Sequence, residues 1–215
     1  MAEIPALDSD SALWSADLDD QPLLVLLHGY GADERDLFGL VPYLPPEYVV
    51  AAVRAPLTPP FPAPGFSWYP IEGLDGRDPQ HVTDAAALVI AWIDLVAPEA
   101  PVGLLGFSQG AAVALQALRL RPERFAFAVN LSGYVTPGEL DDDAALAARR
   151  PPVFWGRGTR DDVIPPFLVE HTALWLPEHV ELSGRVYPGL THSVSEEELD
   201  DVRVFLEKRL ADLQA

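Results

Sequence analysis

Apolar positions along the chain fall in two rhythms. Residues 22–27 (PLLVLL) and 48–53 (YVVAAV) are short runs with almost no polar face. Runs of this length read as strands buried on both sides. Residues 102–106, 126–131, 152–155 and 180–187 predict four more strands. Between them, apolar residues recur every three or four positions. Residues 33–44 begin with an acid and set Leu37, Leu40, Val41 and Leu44 on one face, which predicts a helix. Residues 78–96, 108–120 and 167–176 predict three others. Residues 196–210 predict a last helix, with Leu199, Val202, Phe205, Leu206 and Leu210 on one stripe. A segment near residues 12–18 predicts an edge strand antiparallel to its neighbour.

Strands alternating with helices predict an α/β fold, a mostly parallel central sheet with helices on both faces. Neither an internal repeat nor a domain boundary interrupts the pattern, so the 215 residues read as one domain, with residues 1–20 as an N-terminal edge strand or extension. Residues 54–70 (RAPLTPPFPAPGFSWYP) are too rich in proline for regular structure and too apolar for a free linker. Residues 132–152 have room for one small helix and none for a cap domain. In such sheets the site lies at the carboxyl ends of the strands. The unusual residues fall there: 28–31 (HGYG), 106–110 (GFSQG), Ser132-Gly133-Tyr134 and 156–162.

Composition narrows the function. A formal net charge of −19 repels phosphate backbones and anionic membrane surfaces, which argues against nucleic-acid binding and stable membrane insertion. The acidic runs themselves read as solvated faces. The chain contains no cysteine, so disulfides, thiolate metal sites and a cysteine nucleophile are excluded together. The first twenty residues lack the pattern of a secretory signal, and a cytoplasmic location is the expectation. No H-E-x-x-H, Walker A or dinucleotide fingerprint is present, so neither a metal nor a cofactor is expected.

GFSQG fits the G-x-S-x-G nucleophile elbow, a sharp strand-to-helix turn that lifts a serine clear of the sheet. The plainer reading of Ser108 is a helix-capping serine between glycines. A serine hydroxyl needs a base, and the base needs a carboxylate to orient it. In this architecture the chain order is serine, acid, histidine. Of the histidines after Ser108, His171 falls within a predicted helix and His179 just before a strand. His192 follows the last strand, at its carboxyl end. The strand at 152–155 is followed by GRGTRDDVIPP, which offers Asp161 or Asp162 as the acid. Acyl transfer also needs donors for the developing oxyanion. The backbone N–H groups of Gln109, at a helix start, and of Tyr30, in the HGYG loop, are the candidates. His28 reads as a scaffold residue hydrogen-bonded within that loop.

LLHGYGADERDL, GFSQGAAVAL, GTRDDVIP and the His192 loop together resemble the phospholipase/carboxylesterase family of α/β-hydrolases, which includes acyl-protein thioesterases and small bacterial carboxylesterases. The resemblance runs from about Leu23 to the C-terminus. It implies Ser108 as nucleophile, Asp161 as acid and His192 as base, with Tyr30 and Gln109 donating to the oxyanion. It also implies that residues 56–70 form a site-lining aromatic loop, with Trp68 in the position of a substrate-contacting tryptophan. Phe66, Trp68 and Tyr134 are the expected substrate-binding residues. The family often has Asp-Pro where this chain has Asp161-Asp162.

The expected function is hydrolysis of carboxylic esters with short to medium acyl chains, by a Ser-His-Asp triad and an acyl-enzyme. Thioesterase or lysophospholipase action on longer chains is the alternative. A non-catalytic ligand-binding relative is the rival from another class. A dienelactone-type hydrolase would ordinarily carry a cysteine nucleophile, which this chain lacks. The expected partner is a small ester, and the sequence leaves a homodimer open.

Overall fold

The computed structural model describes residues 6–71 and 77–213. Seven strands form one sheet in the order β1-β3-β2-β4-β5-β6-β7. They are β1 (Leu13–Trp14), β2 (Leu23–Leu27), β3 (Val49–Val53), β4 (Val102–Phe107), β5 (Phe125–Leu131), β6 (Pro152–Gly158) and β7 (Glu181–Tyr187). All neighbours run parallel except β1, which pairs antiparallel with β3 through Leu13 with Ala52 and Trp14 with Ala51. The predicted edge strand therefore exists but is only two residues long.

The helices are α1 (Glu34–Phe38), α2 (Pro79–Val96), α3 (Gln109–Leu120), α4 (Asp143–Arg149), α5 (Pro166–His179) and α6 (Glu196–Leu213). The unbroken apolar runs are explained by two cores. Val25, Ala51, Leu104, Ala128 and Val153 face the layer that contains α2 and α3. Leu24, Val50, Leu105, Val129 and Phe154 face α1 and α6 on the opposite side. Both faces of the central strands are thus covered, as a parallel sheet requires.

The helix predicted over residues 33–44 is corrected. It stops at Phe38, and Val41–Tyr43 forms a separate 3-10 turn. Pro42 has no N–H to give to the Phe38 carbonyl and its ring would press on it, while Gly39 weakens the helix just before. In α6 the apolar stripe buries Val202, Phe205, Leu206 and Leu210. In its first turn, however, Glu198 is the buried residue and Leu199 only partly so. Between β5 and β6 stands α4 alone, with no cap domain. Among the described residues no helix is long and apolar enough to cross a membrane.

Candidate active site

Ser108 occupies the single residue between β4 and α3, with φ 55° and ψ −114°. This conformation is rare for any residue with a side chain and costs on the order of 1–3 kcal/mol. Neighbouring glycines make the turn fit. A Cβ on Gly110 would lie 2.0 Å from the Leu27 carbonyl oxygen, and one on Gly106 would lie 2.4 Å from the Ala111 nitrogen. The Ser108 N–H donates to the Leu131 carbonyl at 2.8 Å, which ties the turn to β5.

Ser108 Oγ lies 2.8 Å from His192 Nε2, and His192 Nδ1 lies 2.8 Å from Asp161 Oδ2. The other Asp161 oxygen accepts the N–H groups of Val163 at 3.0 Å and Ile164 at 3.3 Å. Burial works against ionisation of Asp161. The His192 hydrogen bond and charge, with those two N–H groups, outweigh it and hold the carboxyl below the usual range. An ionised carboxylate only accepts, so His192 carries its proton on Nδ1 and turns the Nε2 lone pair to the Ser108 hydroxyl. Phe107 packs against the imidazole with ring centroids 4.9 Å apart.

Backbone lacing brings Asp161 and His192 together across 31 positions. The Arg160 N–H donates to the Leu190 carbonyl at 2.9 Å, and the Thr159 N–H to that of Tyr187 at 3.1 Å. Thr159 Oγ1 accepts the Gly189 N–H at 2.8 Å. Asp162, the alternative acid, is exposed. His171 and His179 lie on α5, away from Ser108.

Tyr30 and Gln109 both line a pocket of about 200 Å³ that opens on Ser108 and His192. Neither backbone N–H has an acceptor among the described residues. The loop bearing Tyr30 is held from both sides. The Gly31 N–H donates to the Phe66 carbonyl and the Phe66 N–H to the Ala32 carbonyl, each at 2.8 Å. His28 is a buried scaffold residue. Its Nε2 accepts the Ala55 N–H at 3.1 Å and its Nδ1–H donates to the Gly29 carbonyl at 2.7 Å. Burial pushes its pKa down, in keeping with a neutral ring.

Two of the three expected substrate contacts lie elsewhere. Trp68 is fully buried behind the pocket wall. Its indole N–H donates to the His28 carbonyl at 2.8 Å and its backbone N–H to Gln109 Oε1 at 2.8 Å. Phe66 is outside the pocket, with the Arg54 guanidinium 4.8 Å from its ring centroid. Tyr134 does line the pocket, beside Tyr69. The Gln109 side chain is a further structural link, since its Nε2 donates to the Tyr69 carbonyl at 2.7 Å. No pattern in the sequence marks that bond, because it joins residues 40 positions apart. Among the described residues no group of three or more His, Asp or Glu side chains is placed to hold a metal ion.

The chain is similar to known proteins over most of its length. A family model described as Phospholipase/Carboxylesterase matches residues 9–210. Acyl-protein thioesterase 1 of Saccharomyces cerevisiae is 34% identical over 110 residues, covering 49% of this chain and 48% of that protein. Carboxylesterase SOBER1 of Arabidopsis thaliana is 31% identical over 156 residues, covering 67% of this chain and 68% of that one. The chain spans about half the length of the curated relatives it matches first. Among solved structures, acyl-protein thioesterase 2 of Zea mays superposes with a TM-score of 0.78 at 23% identity, over 93% of this chain and 98% of that one. That likeness shows the α/β-hydrolase fold. With the family match spanning nearly every residue from the first turn to the last helix, the chain belongs to the phospholipase/carboxylesterase family.

Proposed function

We propose that this protein is a serine hydrolase of carboxylic esters. The single observation that carries the reading is the continuous hydrogen-bonded path from Ser108 through His192 to Asp161, built on a strained turn. In this reading Ser108 Oγ attacks the acyl carbon and His192 Nε2 takes its proton. The imidazolium, stabilised by Asp161, then gives that proton to the leaving alcohol. The N–H groups of Tyr30 and Gln109 hold the oxyanion in both tetrahedral states. Water, deprotonated by His192, releases the acid and restores Ser108. The reaction needs only these groups and water.

The pocket favours short to medium acyl chains. Its volume of about 200 Å³ falls below the usual range for ligand sites, roughly 300–1,000 Å³. Each methylene buried gains about 0.8 kcal/mol until the walls end. For p-nitrophenyl esters, kcat/KM should rise over the first few carbons and then flatten. The names of the relatives favour a second reading, hydrolysis of thioesters, which the same groups would perform.

The test is labelling with a fluorophosphonate followed by peptide mapping. The adduct is expected on Ser108, absent in Ser108→Ala, with esterase kcat reduced about 10³-fold or more in that variant. A folded Ser108→Ala protein with full activity would sink the proposal.

A further inference from the structure

The Tyr30 N–H belongs to the same peptide unit as the Gly29 carbonyl. That unit is trans and planar, so its C=O and its N–H point in opposite directions. Whatever fixes the carbonyl therefore aims the N–H. Two donors fix it. His28 Nδ1–H donates to the Gly29 oxygen at 2.7 Å, and the Ala32 N–H donates to it at 3.3 Å. The peptide lies beside the nucleophile, since a Cβ on Gly29 would stand 3.6 Å from the Ser108 Cβ.

The His28 ring is held so that Nδ1 must be the donor. The Ala55 N–H can only donate, so Nε2, 3.1 Å away, accepts, and the single proton of the neutral ring is left on Nδ1. Trp68 packs beside the ring with centroids 5.5 Å apart, and its indole N–H holds the His28 carbonyl at 2.8 Å. Oxyanion formation feeds back on this arrangement. An N–H that donates to an anion makes the carbonyl of its own peptide a stronger acceptor, so the His28 bond tightens as the tetrahedral state forms. A bond that is stronger in the transition state than in the ground state raises kcat.

We propose that His28 is a positioning residue for the hydrolysis, its Nδ1–H aiming and polarising the Gly29–Tyr30 peptide so that the Tyr30 N–H meets the oxyanion. This goes beyond a place in the scaffold, and it rests on the readings of Ser108 and Tyr30 given above.

Two substitutions take the ring's bonds apart. An Asn amide reaches where Nδ1 stands, and a Gln amide reaches where Nε2 stands. His28→Asn should keep the donation to Gly29 and leave the Ala55 N–H unpaired. His28→Gln should keep the Ala55 bond and lose the donation to Gly29. Urea midpoints and p-nitrophenyl acetate kinetics are measured on both full-length variants. His28→Asn should be the less stable of the two and the faster. His28→Gln should be the more stable, with KM little changed and kcat lowered about tenfold to a hundredfold, part of the roughly 10²–10³ that loss of a whole oxyanion donor costs. Activities that follow stability in both variants, or a wild-type kcat in His28→Gln, would overturn the positioning role and leave His28 as scaffold. The wild type supplies a second readout that needs no variant to fold. When phenylboronic acid forms its tetrahedral adduct on Ser108, the His28 Nδ1–H proton resonance should move downfield. An adduct that leaves this resonance in place would overturn the proposal while the Ser108 reading stands. No adduct and no fluorophosphonate label on Ser108 would overturn the hydrolase reading and the positioning role with it.

Discussion

Arg54 closes a two-pronged hydrogen bond on the fully buried carboxylate of Glu34, with both N–O distances at 2.7 Å. That bond holds the Glu34 carboxyl below its ordinary range despite burial. Glu34 opens α1, directly after the loop that bears Tyr30, and Arg54 covers Phe66, whose backbone clamps the same loop. Arg54→Ala would strip both fork hydrogen bonds from the buried Glu34 carboxylate and leave it only the exposed Arg35 guanidinium at 3.1 Å; the full loss of a buried partner typically costs about 3–5 kcal/mol, and the remaining ion pair should keep the cost below that. Urea unfolding should show that loss. In a variant that still folds, kcat should fall more than KM rises, because a slack loop would misplace the Tyr30 N–H, the donor proposed for the oxyanion. A stable Arg54→Ala protein with normal kcat would contradict this.

Trp68 should behave as scaffold. Trp68→Ala removes a buried indole and leaves the His28 carbonyl without its indole donor, while the backbone N–H that bonds Gln109 Oε1 is retained. Core Trp→Ala changes typically cost about 3–5 kcal/mol. The expected signature is a lower unfolding midpoint and a lower rate on every ester. A selective change in acyl-chain preference, with stability intact, would instead put the indole on the pocket wall.

The two neighbouring aspartates should separate cleanly. Asp161→Asn would favour the wrong His192 tautomer and cost on the order of 10⁴ in kcat, as in the serine-protease case. Asp162 is exposed, and Asp162→Asn should change kcat little. Steady-state kinetics on one activated ester suffices, and the reverse ranking would transfer the role to Asp162.

Glu198 makes stability depend on pH. It has no exposed surface, and neither carboxylate oxygen has a hydrogen-bond partner among the described residues. Burial is the main cause that pushes its pKa to about 7, with the Asp201 charge adding and the Ser195 contact opposing. The folded state therefore holds a proton that the unfolded chain gives up near 4.5. Stability should fall as pH rises from about 4.5 to 7 and level off above, by about 3 kcal/mol in all. Glu198→Gln should flatten that slope. Denaturation midpoints for both proteins at pH 5 and pH 8 decide it, and parallel losses would place the titration elsewhere.

The unbroken apolar runs determined the central strands, because a strand covered on both faces has no polar side to show. GFSQG determined the strained turn, since only residues without a Cβ fit where Gly106 and Gly110 meet neighbouring backbone. The loop positions of Asp161 and His192 were legible from their place after successive strands. Between Asp161 and Asp162, by contrast, local sequence does not choose. Their adjacency is identical from either side, and the choice falls to the lacing of two loops by Arg160, Thr159 and Leu190. Trp68 lies in an aromatic loop that sequence alone reads as pocket wall. Tertiary packing turned it inward, where its indole N–H finds the His28 carbonyl and its ring escapes water. The Glu34–Arg54 fork, the Gln109 clamp and the Tyr69–Tyr134 pair join residues 20, 40 and 65 positions apart. No periodicity encodes such pairs. Each forms because burial removes water as a partner and the fold brings a complementary group within reach.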